Sequence, residues 1–161
     1  NTPYGESPVS TAMGAYFNKK AYTDPALRRK YTRMGFWVNI RLIRYPDVLL
    51  MAAESANEKG LMGEASGYLE QVRAHARGTL TNVLPKVESL DQSVLREAIR
   101  HERRVELGLE PDRFYDLVRW GIAQEVLQAA GKNYQPKNAL LPLPQTEIDK
   151  SNGVLVQNPD Y

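Results

Sequence analysis

The sequence contains no cysteine. Disulfides, thiolate metal sites and cysteine nucleophiles are therefore excluded, although the absence does not fix the compartment. Histidine is scarce too: His75 and His101 stand alone and far apart. A catalytic or structural zinc site would have to be completed by carboxylates. No long apolar run occurs. The longest, residues 48–53, has the length of a core-helix segment and not the ~20 residues of a membrane span. There is no Gly-rich phosphate loop, no G-x-S-x-G elbow and no dinucleotide fingerprint. An excess of one charge is also lacking: 21 basic residues face 19 acidic ones, for a net charge of +2. That balance does not give the polybasic footprint of a nucleic-acid binder. The chain opens Asn1-Thr2-Pro3 without Met or an apolar signal stretch, the expected look of a chain whose targeting segment has been removed.

What remains is globular. Of the 161 residues, 42% are hydrophobic and 25% charged, which suits a single domain over residues 1–161 with its own core. Residues 1–35 read as irregular, with Pro3, Pro8 and Pro25 and no sustained period. Lys19, Lys20 and Arg28-Arg29-Lys30 lie among Tyr16, Phe17, Tyr22 and Tyr31. Basic residues interleaved with aromatics can bind single-stranded nucleic acid, but a solvated loop is the simpler reading. Residues 36–44 alternate, with Phe36, Val38, Ile40 and Leu42 on one side and Trp37, Asn39 and Arg41 on the other. That period of two predicts a short strand or extended segment.

Helical periodicity follows. Pro46 suits a first turn, where its missing N–H is not needed, and Gly60 suits the position just past a helix end. Between them Leu49, Ala52, Ala53 and Ala56 form a stripe. A second stripe, Ala65, Tyr68, Leu69, Val72 and Ala76, predicts a helix over residues 63–76, stopped by Gly78. The pair is an αα-hairpin of tetratricopeptide type with alanine at the last aromatic position of its first helix. After a loop over 79–92, Asp91 or Ser93 caps a third helix that runs to Glu106 or Leu107. Pro111-Asp112 opens a fourth over 113–130, bent near Gly121. From Gly131 onward the chain reads as loop: Leu140-Leu141-Pro142-Leu143-Pro144 must be extended, and residues 146–149 can form one capped turn. The fold class expected is mostly all-α, with tetratricopeptide-like hairpins, long irregular loops and a short extended segment.

The densest charge lies in Arg96-Glu97-Ala98-Ile99-Arg100-His101-Glu102-Arg103-Arg104-Val105-Glu106. A zincin motif fails because its second histidine would fall on Val105. The apolar stripe Leu95, Ala98, Ile99, Val105, Leu109 takes in Glu102, with Glu106 at its margin. A carboxylate facing a core needs a partner. The candidates are Arg113 and Arg119 on the next helix, or Arg44 and Arg73 on the first hairpin. Paired glycosidase-type carboxylates are the catalytic reading. A structural Glu–Arg network fits better, because nearby arginines favour the ionised carboxylate, wrong for a general acid. Phe114, Tyr115, Leu117, Val118 and Trp120 read as core. Trp37, on the polar side of its segment, is the residue best placed to stack on a ligand. No residue reads as catalytic, metal-ligating or cofactor-binding.

Four blocks then resemble the SusD/RagB family. They are Asn39-Ile40-Arg41-Leu42-Ile43-Arg44-Tyr45-Pro46-Asp47-Val48-Leu49-Leu50-Met51-Ala52-Ala53-Glu54, the segment from Leu95 to Leu107, Asp112-Arg113-Phe114-Tyr115-Asp116-Leu117-Val118-Arg119-Trp120-Gly121, and the tail with Leu141-Pro142-Leu143-Pro144-Gln145-Thr146-Glu147-Ile148 and Gln157-Asn158-Pro159-Asp160-Tyr161. They cover residues 36–161, and Pro111-Asp112 departs from the family's Gly-His. The resemblance implies the C-terminal part of a non-catalytic, cell-surface protein of the bacterial outer membrane, attached by a lipid that this chain does not carry. Such proteins bind an oligosaccharide or other nutrient and deliver it to a SusC-like TonB-dependent transporter; no cofactor and no nucleic acid is implied. The alternative is a tetratricopeptide-type protein-interaction scaffold without a small ligand.

Overall fold

A computed structural model describes Gly5, Asn18, Lys20 and residues 22–28 and 41–161. Among these residues the protein is all-helical, with no strand. Residues 41–44, the described end of the alternating segment, are neither strand nor helix, and residues 36–40 lie outside the described part. The chain forms two compact units, residues 1–109 and 110–161.

The first unit holds a single turn, α1 (Pro25–Arg28), and three longer helices, α2 (Tyr45–Glu58), α3 (Met62–Arg77) and α4 (Gln92–Glu106). α2 and α3 form the hairpin, and α4 packs on both. The turn between α2 and α3 is closed by two backbone bonds: Gly60 N–H donates to Asn57 and Leu61 N–H to Ala56, at 3.0 and 2.9 Å. This double bond pattern needs a left-handed residue at its centre, and Gly60 supplies it at φ +78°. The core joins Leu49, Leu50, Ala53 and Ala56 to Ala65, Leu69, Val72, Leu95 and Ile99.

That core differs from the expected stripes at their edges. Leu50 and Asn57 are fully buried, whereas Ala52 is half-buried and Ala76 exposed. The reason is that α4 as well as α3 covers α2, which widens and rotates its buried face. Val105 and Leu109 are exposed, while Glu102, Arg103 and Leu107 are buried. The loop from α3 to α4 is held by side chains. Ser66 Oγ donates to the Val87 carbonyl, Arg73 to that of Pro85 and Arg77 to that of Leu84.

α4 begins at Asp91, whose Oδ1 accepts from the amides of Ser93 and Val94 at 2.8 and 3.0 Å and from the Ser93 hydroxyl at 2.6 Å. The hydroxyl, then the Val94 and Ser93 amides, hold the Asp91 carboxyl below its usual value.

The second unit holds α5 (Asp112–Arg119), α6 (Ala123–Ala129), a 3₁₀ turn (Pro136–Ala139) and α7 (Gln145–Lys150). The fourth helix is therefore broken where a bend was expected. Gly121, at φ +71°, ends α5, with its own amide bonded to Val118 and that of Ile122 bonded to Leu117. The break lets α6 fold back, so that Leu117, Ala123 and Tyr134 form a core with Phe114, Val118, Ile122, Val126 and Leu127 around it. Tyr115, expected in the core, is exposed. α7 is longer than the expected turn and has no side-chain cap.

The tail fastens the extended segment. Gln157 accepts from the Leu143 amide at 2.8 Å and donates to the Leu143 carbonyl at 2.9 Å. Asn158 donates to the Leu141 carbonyl at 2.6 Å, and the Tyr161 hydroxyl to that of Leu140 at 2.9 Å.

Two outcomes follow. Gly121→Ala forces a side chain into left-handed backbone and should cost about 1–2 kcal/mol; an unchanged urea midpoint would contradict this account of the break. Because the folded pKa of Asp91 is depressed, its contribution is fully present above the unfolded value and is lost as pH falls through the lower folded one. The melting-temperature gap between the protein and Asp91→Ala should therefore be open near neutrality and narrow as the solution is acidified below about pH 4. A gap independent of pH would refute the charged cap.

Candidate functional site

The charged centre of the first unit is built on α4. Leu95 and Ile99 supply its apolar contacts, and continuing the helical spacing brings Glu102 and Arg103 into the same buried face. Neighbours in sequence, they point to different helices. Glu102 Oε2 meets Arg73 Nη1 of α3 at 2.6 Å, with side chains 3% and 11% exposed. Arg103 Nη1 meets Asp47 Oδ1 of α2 at 2.8 Å, with side chains 5% and 12% exposed.

Further rungs join α2 and α4. Arg44 donates to the Glu106 carboxylate at 2.8 Å and to its carbonyl at 2.9 Å. Asn57 and Gln92 exchange bonds with each other's backbone carbonyls at 3.0 and 2.7 Å. Arg96 embraces Glu58 with two bonds of 2.7 Å. The Arg96 guanidinium holds the Glu58 carboxyl below its usual value, against a smaller opposing effect of burial.

These rungs run down α2 as they run up in reverse along α4, so the helices are antiparallel. The order of charges also fixes their register. A slip of three residues would face Arg44 with Arg103 in one direction and Asp47 with Glu106 in the other. Either puts like charges together in a poorly hydrated contact.

The end of α4 carries a second set of bonds. Lys20 Nζ donates to the Glu106 carbonyl, Asn18 Nδ2 to that of Leu109 at 3.2 Å, and Arg41 to that of Lys20 at 2.6 Å. Cationic side chains at a helix C-terminus satisfy carbonyls the helix leaves open and oppose its negative end.

The arrangement is not one for acid–base chemistry on a substrate. Glu102 is buried against Arg73, and Glu106 is engaged by Arg44. Among the described residues no group of three or more histidine or acidic side chains is placed to hold a metal ion.

Comparisons with known proteins identify the framework. The profile of the SusD family matches residues 1–139. The chain belongs to the SusD family. It is 39% identical over 153 residues to SusD-like protein P25 of Formosa agariphila, covering 91% of this chain and 27% of that protein. SusD-like protein P2 of the same organism is 36% identical over 127 residues, covering 74% of this chain and 25% of that protein. A crystal structure of a SusD homolog from Bacteroides thetaiotaomicron VPI-5482 superposes with a TM-score of 0.68 at 30% identity, covering 83% of this chain and 30% of that one. The chain thus spans about a quarter of the length of these curated relatives.

In this SusD-family chain the four sequence blocks are α2, α4, α5 and the tail. Of the ionic residues named from sequence, Glu102 and Glu106 meet Arg73 and Arg44. Arg113 and Arg119, the other candidate partners, lie in the second unit, where Arg119 bonds the buried Asp116 at 2.9 Å and stacks 4.9 Å from the Trp120 ring centroid. Trp37 lies outside the described residues. Sequence reasoning missed Asp47, Arg103 and Glu58. Their signal was present as alternating charge on α2 mirrored in reverse on α4.

Glu102→Gln leaves the Arg73 guanidinium without its anion and should destabilise the first unit by about 3–5 kcal/mol, whereas Glu102→Leu with Arg73→Met should recover part of that loss, the remainder reflecting the Arg73 bonds to the Pro85 carbonyl. Thermal melts of the single and double variants give the test. A single variant that melts like the parent would remove the buried pair from the argument.

Proposed function

We propose that this chain is the C-terminal helical frame of a SusD-family protein that binds a glycan or other nutrient at the cell surface and passes it, without chemistry, to a SusC-like TonB-dependent transporter. The observation that carries the reading is family membership, with the profile matching residues 1–139. The physical design supports it. The buried charged side chains of the first unit, Glu102, Arg103 and Asp47, are engaged in pairs that help hold three helices in one register. A frame of this kind positions loops and presents them rigidly, which is what capture by stacking and hydrogen bonding requires. Trp37 is our candidate for stacking on a sugar face. The full protein is held at the outer membrane by a lipid; no helix of the described residues is long and apolar enough to cross a membrane.

The α2–α3 hairpin also favours a second reading, a tetratricopeptide-type scaffold that binds protein only. Tyr45, Val48 and Met51 are exposed along α2, as they would be on such a surface. Tryptophan fluorescence and calorimetric titration of the full-length protein against soluble polysaccharides decide between the two. Saturable binding, weakened in Trp37→Ala, is expected. Failure of every glycan, with binding to a protein partner intact, would overturn the nutrient reading in favour of the scaffold.

A further inference from the structure

Asn152-Gly153 is the one Asn-Gly pair in the sequence, and the structure sets it in an exposed turn directly after α7. Asn152 is left-handed at φ +52° and Gly153 follows at φ +84°. The turn is closed around the pair by the Val154 N–H, which donates to Ser151 at 3.2 Å, while the Asn152 N–H donates back to Asp149. Neither the Gly153 amide nor the Asn152 side chain makes a hydrogen bond. A side chain added at Gly153 would meet nothing within 4 Å, so solvent reaches the pair.

The other described asparagines differ. Asn57 is fully buried, Asn138 and Asn158 are held by hydrogen bonds, and Asn18, Asn82 and Asn133 precede residues whose side chains crowd the next amide.

We propose that Asn152 is a site of spontaneous deamidation, through a succinimide, in the folded protein. The Gly153 amide nitrogen loses its proton to solvent base and attacks Asn152 Cγ. A new C–N bond forms, the bond from Cγ to the side-chain nitrogen breaks, and ammonia leaves with a proton taken from water. Water then adds to one of the two ring carbonyls. Opening at Cγ gives aspartate; opening at the main-chain carbonyl gives isoaspartate, with the chain rerouted through the side chain. The only co-reactant is water, and either product exchanges a neutral amide for a negative carboxylate.

The consequence falls on the tail. Val154 and Leu155 both return to Ser151 across the pair, through its carbonyl at 3.2 Å and its hydroxyl at 2.9 Å. Beyond them Gln157 holds Leu143. An extra backbone carbon at residue 152 changes the span that these bonds bridge, and the Leu143 amide should exchange with solvent several-fold faster in the isoaspartate form.

The test is incubation of the purified protein in mildly alkaline buffer, with peptide mapping by mass and enzymatic detection of isoaspartate. The same chain unfolded in urea serves as the reference. Conversion should concentrate at Asn152, approach the unfolded rate, and fall several-fold in Gly153→Ala and in Asn152→Gln, whose longer side chain closes a poorer ring. Conversion spread evenly over the asparagines, or native conversion far below the unfolded rate, would overturn the proposal.

Discussion

Two adjacent side chains of opposite charge, Glu102 and Arg103, are buried toward the C-terminal end of the helix that joins the first unit together. Each would be costly alone. Desolvating an unpaired carboxylate or guanidinium costs several kcal/mol, and only a close partner offsets it. The partners come from different helices, Arg73 of α3 and Asp47 of α2. α4 can therefore bury its apolar residues only in the one position that satisfies both. Leu95 and Ile99 supply a driving force that tolerates sliding; the ion pairs remove that tolerance. Their effect is read in uniqueness more than in stability, because a well-packed apolar replacement of a buried pair is often neutral. A three-helix core lined with four alanine and leucine positions from α2 would otherwise have several near-equivalent packings.

The second unit solves a related problem without charge. Pro142 and Pro144 offer no amide, so the extended segment between the 3₁₀ turn and α7 cannot join a regular ladder. One N–H stands between them, that of Leu143, and the Gln157 side chain receives it while returning a bond to the Leu143 carbonyl. Asn158 and Tyr161 satisfy the carbonyls of Leu141 and Leu140. Lys137 adds a bond to the Asp160 carbonyl and lies 5.1 Å from the Tyr161 ring centroid. The last five residues thus replace a neighbouring strand, which explains how a segment rich in exposed leucine keeps a defined path.

Helices and their ends were legible in the sequence wherever a local rule governed them. The stripe of α3, the Asp91 cap and the glycine after α2 each depend on residues within a turn of one another. Local rules fail where a distant element decides. The rotation of α2 toward Leu50 and Asn57 follows from α4, some forty residues later. The exposure of Val105 follows from Arg103 taking its place beside Asp47, a choice that periodicity alone cannot foresee. Gly121 marks the place in the sequence, but the distinction between a bend and a full stop lies in two backbone bonds that no side chain announces. For the charged centre, the sequence narrows the partners of Glu102 to four arginines, and the packing of α4 against α3 selects Arg73. The family blocks were read from residue identity, whereas their physical meaning, a charge ladder and a side-chain clamp, emerges only from the geometry.

The division between buried and exposed ion pairs also follows from dielectric. The Glu58–Arg96 rung is 47% and 31% exposed, so ions in the medium screen it and its contribution is small. The Arg73–Glu102 and Asp47–Arg103 pairs are shielded by the helices they join and are screened far less. Ionic strength varies with the surroundings, and a screened pair varies with it. A register held by shielded pairs is indifferent to that variation, while residues meant to exchange contacts with a ligand have to remain solvated. Charge that locks the helices is for that reason charge unavailable for binding, and in the proposed function capture falls to the loops the frame presents.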